Sequence, residues 1–168
     1  MSAIPWNGDL PASLRERFGA QVLEASSYLD QNFLRVEPAA VLPIIEHLHQ
    51  HHGFDYLVDI TAVDHPARAE RFELVYILYS YASNQRLRLH ANIAEGVEQP
   101  TATGVFVGAN WIEREVFDMF GIRFRGHPDL KRILLPDGWE GFPLRKDYPI
   151  LQQDQQWVQQ NLGIESGQ

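Results

Sequence analysis

Three runs decide the fold: Phe54-Asp55-Tyr56-Leu57-Val58-Asp59-Ile60-Thr61-Ala62, Phe72-Glu73-Leu74-Val75-Tyr76-Ile77-Leu78-Tyr79 and Leu87-Arg88-Leu89-His90-Ala91-Asn92-Ile93. In the first, Phe54, Tyr56, Val58 and Ile60 alternate with Asp55, Asp59 and Thr61, the pattern of a half-buried strand, with Leu57 as the exception. The second is apolar on both faces after Glu73, as expected inside a sheet rather than at its rim. In the third, Leu87, Leu89, Ala91 and Ile93 point one way and Arg88, His90 and Asn92 the other. The connections 64–71 and 80–86 are too short for crossover helices. The spacing therefore predicts antiparallel neighbours near 54–62, 72–80 and 86–93.

Upstream, Leu10, Leu14 and Phe18 recur every four residues behind a possible Asp9 cap, and Gly19 can end that helix. Val22 to Ala25 and Phe33 to Val36 read as strands around a polar turn at Asp30, Gln31 and Asn32. Pro38 suits a first helical turn, Val41, Ile45, Leu48 and His52 form a stripe, and Gly53 is a stop, giving a helix near 39–52. The order helix, strand, strand, helix, three strands predicts an α+β fold, a two-layer sandwich with the helices near 10–18 and 39–52 on one face. The expected divisions are an α+β domain over 1–95, a loop, short helix and extended partner-binding segment over 96–150, and a Gln-rich tail over 151–168.

The 168 residues suffice for one domain with a proper core. They contain no cysteine, so the chain can form no disulfide and can offer no thiolate to zinc or to an iron-sulfur cluster. A net charge of -8 repels nucleic acid at long range. No basic, signal-like start precedes an apolar stretch, and no apolar run approaches the ~20 residues that span a bilayer. The expectation is a soluble intracellular chain that can still ride on something embedded in a membrane.

Half of the positive charge lies in residues 111–149, which hold seven acids and seven bases. A third helix is expected where Asn110 caps and Glu113 completes a capping box, with Ile112, Val116, Met119 and Phe120 buried and Gly121 as the stop. Glu113 and Glu115 lie roughly 200° apart around that helix, so they cannot flank one substrate as paired catalytic carboxylates. Arg114 and Asp118, four apart, can pair on its surface, and a binding role for these residues stays open beside that structural one. After the helix, 122–150 has too few periodic apolar residues for a long element. Such a segment is ordered only where its own core or a partner satisfies its backbone.

Glu113, Arg114, Glu115, Asp118, Met119, Phe120, His127, Lys131, Ile133 and Leu134, at these spacings, resemble the signature of the thirty-kilodalton subunit family of respiratory complex I, the proton-pumping NADH:quinone oxidoreductase. Gly126 to Leu134 and Pro143-Leu144-Arg145-Lys146-Asp147-Tyr148-Pro149 resemble its continuation, and Phe54-Asp55-Tyr56-Leu57 with Ala62-Val63-Asp64 resembles its first domain. The resemblance implies a non-catalytic structural subunit of the hydrophilic arm, without a cofactor of its own. Flavin and iron-sulfur clusters would belong to partner subunits. Its implied neighbours are the large quinone-site subunit (the forty-nine-kilodalton type), the small cluster-bearing subunit and other subunits of the complex, peripheral on the cytoplasmic face of the cell membrane. The alternative is the equivalent subunit of a related membrane-bound hydrogenase or ferredoxin-fed complex. The implied interface or signature residues are Glu113, Arg114, Glu115, Asp118, His127, Lys131, Arg132, Arg145, Lys146 and Asp147. Arg125 joins them as a polar contact, partly within the chain and partly toward the quinone-site subunit.

Other readings are weaker. His47, His49, His51 and His52 lack a partner spaced for a tetrahedral metal site and read as a solvated helix end. His90, His127, Asp129 and Asp147 form no nucleophile or acid-base arrangement, and no glycine-rich motif opens a helix. The basic residues of 123–146 interleave with aromatics, but with equal acid and no spelled-out nucleic-acid module. In the tail, Trp157 either docks on a neighbouring subunit or belongs to a solubilising end.

Overall fold

The computed structural model describes residues 2–148 and 159–160. The expected Gln-rich tail therefore lies outside the described residues except at 159 and 160. The elements are β1 (Ile4–Pro5), α1 (Asp9–Phe18), β2 (Val22–Tyr28), β3 (Gln31–Val36), α2 (Val41–His52), β4 (Tyr56–Asp64), β5 (Phe72–Ser80), β6 (Gln85–Ile93), β7 (Gln99–Pro100), α3 (Ala109–Phe120) and β8 (Phe124–Arg125). The main sheet runs β1-β2-β3-β6-β5-β4, and β7 and β8 make a small parallel pair.

The predicted α+β sandwich is thus the observed one, with β1 added ahead of the first helix. The last three strands are antiparallel neighbours, as their short connections require. The β2–β3 hairpin attaches to them through a parallel pairing of β3 with β6. Leu87, Leu89, Ala91 and Ile93 are buried on the core face, opposite Leu14 of α1 and Val41, Ile44, Ile45 and Leu48 of α2. That α2 spacing is one helical stripe. Gly53 ends α2 in the left-handed conformation, φ 66°.

Three local expectations change. Asp9 is the first residue inside α1 and makes no cap; Gly8 precedes the helix. In β4 the register slips between Leu57 and Asp59, so Val58 is a bulge and the parity of the strand reverses there. Leu57, Ile60, Ala62 and Asp64 consequently face the core while Tyr56 is exposed, which explains why Leu57 broke the alternation. The polar turn at 30–32 is instead a two-residue hairpin at Leu29 and Asp30, because Tyr28 pairs with Gln31. Both turn residues have positive φ, 50° and 59°, as a type I′ turn demands.

A leucine is a poor residue for that conformation. Leu29→Asn should raise the stability of the full chain by about 1 kcal/mol in urea unfolding, since asparagine tolerates positive φ. An unchanged or lower midpoint would show that Leu29 is held by something other than the turn.

Candidate functional site

The signature residues converge on α3, which the Gly121 stop (φ 77°) ends as expected. Its start departs from expectation: Gly108 occupies the N-cap, no side chain caps the helix, and the Asn110–Glu113 box does not form. The capping pattern misleads because Glu113 turns into the core. There it is 0% exposed and accepts the Thr101 hydroxyl at 2.5 Å and the Ala102 N–H at 2.6 Å. Burial pushes its carboxyl up to about 7 against the opposing pull of those two donors. Beside it lies the buried Tyr76 hydroxyl, raised first by burial and then by the Glu113 charge, and without a hydrogen-bond partner among the described residues.

Arg114 and Asp118 do not pair either. Arg114 donates to the backbone carbonyls of Lys131 and Arg132 at 3.1 and 3.0 Å. Asp118, 0% exposed, accepts Arg132 Nη1 at 2.7 Å and the N–H groups of Ile133, Leu134 and Leu135 at 3.0, 2.8 and 2.9 Å. Burial pushes the Asp118 carboxyl up, and the donors from Leu135, Arg132, Ile133 and Leu134 outweigh it, holding the group below its ordinary range. The local helix pair loses to partners that the chain brings from 14 or more residues away.

The end of α3 is finished by the same segment. A helix leaves its last carbonyls open. Here Arg132 Nη1 reaches the Asp118 carbonyl, the Leu144 N–H the Met119 carbonyl, and Arg145 Nε the Phe120 carbonyl. Two guanidinium groups thus sit at the negative pole of the helix dipole. Arg145 also stacks over Phe72 and Phe142, at 5.2 and 4.6 Å from the ring centres. Gly121 makes room for this: a Cβ there would lie 2.6 Å from Phe142 and 2.7 Å from Arg145.

A second clasp ties the segment to the sheet. Arg71 grips Asp64 with two nitrogens at 2.8 and 2.9 Å, Glu95 at 3.0 Å and Asp147 at 2.7 Å. Glu95 in turn accepts Arg145 at 2.5 Å, and Asp64 accepts the Lys146 backbone N–H at 2.7 Å. The Arg71 hydrogen bond is the foremost reason that Asp64 is held below the usual carboxylate range. Sequence reasoning missed Arg71 and Glu95. Arg71 lies among Arg68, Glu70 and Glu73, whose acids offer nearer local partners, and only the opposing charges near 145–147 signalled a distant one.

The remaining signature residues are peripheral. His127 bonds the Asn110 carbonyl through Nε2 and the Asp129 N–H through Nδ1, which assigns the Nε2–H tautomer. Lys131 pairs with Asp129 in solvent at 2.8 Å, an arrangement worth only about 0–1 kcal/mol. Glu115, Arg125 and the Lys146 side chain are exposed. Among the histidines, His47 and His52 lie 3.3 Å apart through Nε2, both lowered first by burial. No group of three His, Cys, Asp or Glu fit for a metal ion occurs among the described residues. Around the latched segment Trp111, Leu134 and Leu144 remain exposed.

Removing the buried carboxylate should expose the latch. Asp118→Ala leaves Arg132 without its carboxylate and three N–H groups without acceptors, so a loss of about 3–5 kcal/mol is expected, with fast amide exchange over 131–135. Slow exchange there would assign the segment's order to its apolar contacts. Glu113 gives a pH test. Its folded pKa lies above the ordinary carboxylate value, so its contribution is fully present below that ordinary value and is lost as pH rises through about 7. Glu113→Gln should remove this part of the slope. Parallel stability profiles for the two proteins would contradict it.

The comparisons with known proteins agree with this geometry. A profile described as the respiratory-chain NADH dehydrogenase, 30 Kd subunit, matches residues 34–154. The chain is 44% identical over 143 residues to the C subunit of NADH-quinone oxidoreductase from Rhodobacter capsulatus, spanning 84% of this chain and 72% of that one. It is 38% identical over 151 residues to the protein of the same name from Geotalea uraniireducens, spanning 89% and 92%. In fold, it resembles a chain of the membrane-bound sulfane sulfur reductase, an archaeal respiratory membrane complex, with a TM-score of 0.75 and 23% identity over 94% of this chain and 91% of that one. A chain whose signature helix and following segment match this profile, and whose relatives align with most of its length at more than one residue in three, belongs to the family of the 30 Kd subunit of respiratory-chain NADH dehydrogenase.

Proposed function

We propose that this chain is a non-catalytic structural subunit of the hydrophilic arm of a proton-translocating NADH:quinone oxidoreductase. In this reading its segment 123–148 packs against the large quinone-site subunit, close to the small cluster-bearing one. The observation that carries the reading is the use of the signature residues. Asp118, Arg114, Arg132 and Arg145 are engaged inside the chain, so they hold a surface in shape rather than process a substrate. What they hold outward is apolar: Trp111, Leu134 and Leu144. The curated relatives carry the name of one subunit of the oxidoreductase, which supports an assembly role. Flavin and iron-sulfur clusters would sit in the partner subunits, since this chain has no cysteine to ligate a cluster. Among the described residues no helix is long and apolar enough to cross a bilayer. The place proposed for the chain is peripheral, on the cytoplasmic face, reached through the complex.

Burying a large apolar side chain is worth roughly 1.5–3 kcal/mol. The triple variant Trp111→Ser, Leu134→Ser, Leu144→Ser should therefore keep the free chain's unfolding midpoint and lose incorporation. The measurement is co-purification of the quinone-site subunit through a tag on this chain, with turnover falling in step with yield. Full incorporation would overturn the assigned face. Recovery of a hydrogenase or ferredoxin-fed module would identify the alternative assembly.

A further inference from the structure

The histidines near the end of α2 do not share one environment. His49 turns to the Phe54 carbonyl, 3.2 Å from its Nδ1, and its ring stands edge-on to Phe106. His47 and His51 have the spacing of one helix face, yet it is His47 and His52 that meet, Nε2 to Nε2 at 3.3 Å. His47 also stands edge-on to Phe18 at the end of α1, with ring centres 5.7 Å apart. His52 lines an open cleft of about 430 Å³ whose other walls include Trp6, Asp9 and Leu10 from the start of the chain. The pair therefore sits where α1 and its approach meet α2.

Two facing ring nitrogens hold one proton between them, because one must donate and the other accept. With both imidazoles neutral the arrangement is complete: one ring is protonated at Nε2 and donates, and the other accepts and carries its proton at Nδ1. His47 Nδ1 is buried and has no hydrogen-bond partner among the described residues. Orphaned buried N–H groups are rarer than under-satisfied acceptors, which assigns the Nε2 proton to His47 and leaves its Nδ1 as a lone pair. A third proton has no such place. On His47 it would turn Nδ1 into a buried donor without an acceptor. On His52 it would set two N–H groups head to head unless His47 moved its own proton to that same Nδ1. Acid must leave an unpaired buried donor or part the two rings.

The neighbours of the pair act in mixed directions. Arg17 of α1 and His51 of α2 oppose a charge on His47, and His51 opposes one on His52. Asp9 is the one acid lining the cleft beside His52, where Ser13, Asn32 and Gln85 are uncharged. Burial is the first cause that holds both rings below the ordinary histidine range.

We propose that the His47–His52 contact is a proton-sensitive fastener between α1 and α2, intact while both imidazoles are neutral and parted when the pair takes a third proton, which frees the end of α1 from its seat on His47. Released rings are solvated and bind protons at about pH 6.5. The open state thus binds more protons than the closed one, and opening grows as pH falls through that value. Glu113 has the opposite sign, since its contribution is lost as pH rises. The fastener is independent of the docking face proposed above.

The test is amide exchange in the isotope-labelled full chain at pH 7.5 and 5.5. Protection over 9–18 should fall roughly tenfold, the ratio for one proton taken up only in the open state. His47→Gln with His52→Gln should abolish that fall, and His51→Gln should keep most of it. Ring-nitrogen resonances of the wild type at pH 7.5 should show His47 protonated at Nε2. An unchanged wild-type protection at pH 5.5, or the same fall in the double variant, would overturn the fastener. His47 protonated at Nδ1 would overturn the proton count on which it stands, whatever the folding of the variants.

Discussion

The rest of the structure hangs on a carboxylate that should not, by itself, be buried. Placing an ion such as Asp118 in the interior is costly unless charge and hydrogen bonds replace the water it loses. Four donors replace it here, and three of them are consecutive backbone N–H groups at 133–135. That requirement bends an otherwise featureless stretch around the end of α3. Once the stretch is wrapped, Arg132, Leu144 and Arg145 fall on the open carbonyls of the helix. One electrostatic demand thus orders a segment with little regular structure of its own.

How legible this was in the sequence depends on the range of each interaction. β6 and α2 were readable because their apolar residues keep period throughout. β4 was readable as a strand but not in its facing, since one bulge at Val58 turns Tyr56 outward and Leu57 inward. The β3–β6 pairing had no local signal at all; parallel contacts join residues more than fifty positions apart. In the signature helix, the local rules named plausible partners for Glu113 and Asp118, and both were outcompeted. Thr101 and Ala102 took the first and 132–135 the second, because nonlocal backbone donors without alternative acceptors have more to lose than a solvated surface pair has to gain. The family resemblance identified these positions without disclosing what they touch.

At the latched end of the sheet, charges are satisfied internally by Arg71, Asp64, Glu95, Arg145 and Asp147, leaving an apolar exterior at Trp111, Leu134 and Leu144. The chain fixes its own geometry at this end.

The clasp between Asp64 and the Lys146 backbone spans 82 residues. On a ribosome, β4 emerges long before its partner, and the order of synthesis becomes an order of maturation. The sheet can close first; Asp118 stays uncompensated until 132–135 emerge, and the end of α3 stays open until Leu144 and Arg145 follow. Only then do Leu134 and Leu144 take fixed positions on the surface. A nascent or truncated copy accordingly lacks the closed end of α3, and the face carrying Leu134 and Leu144 is set only by the last residues of the latch.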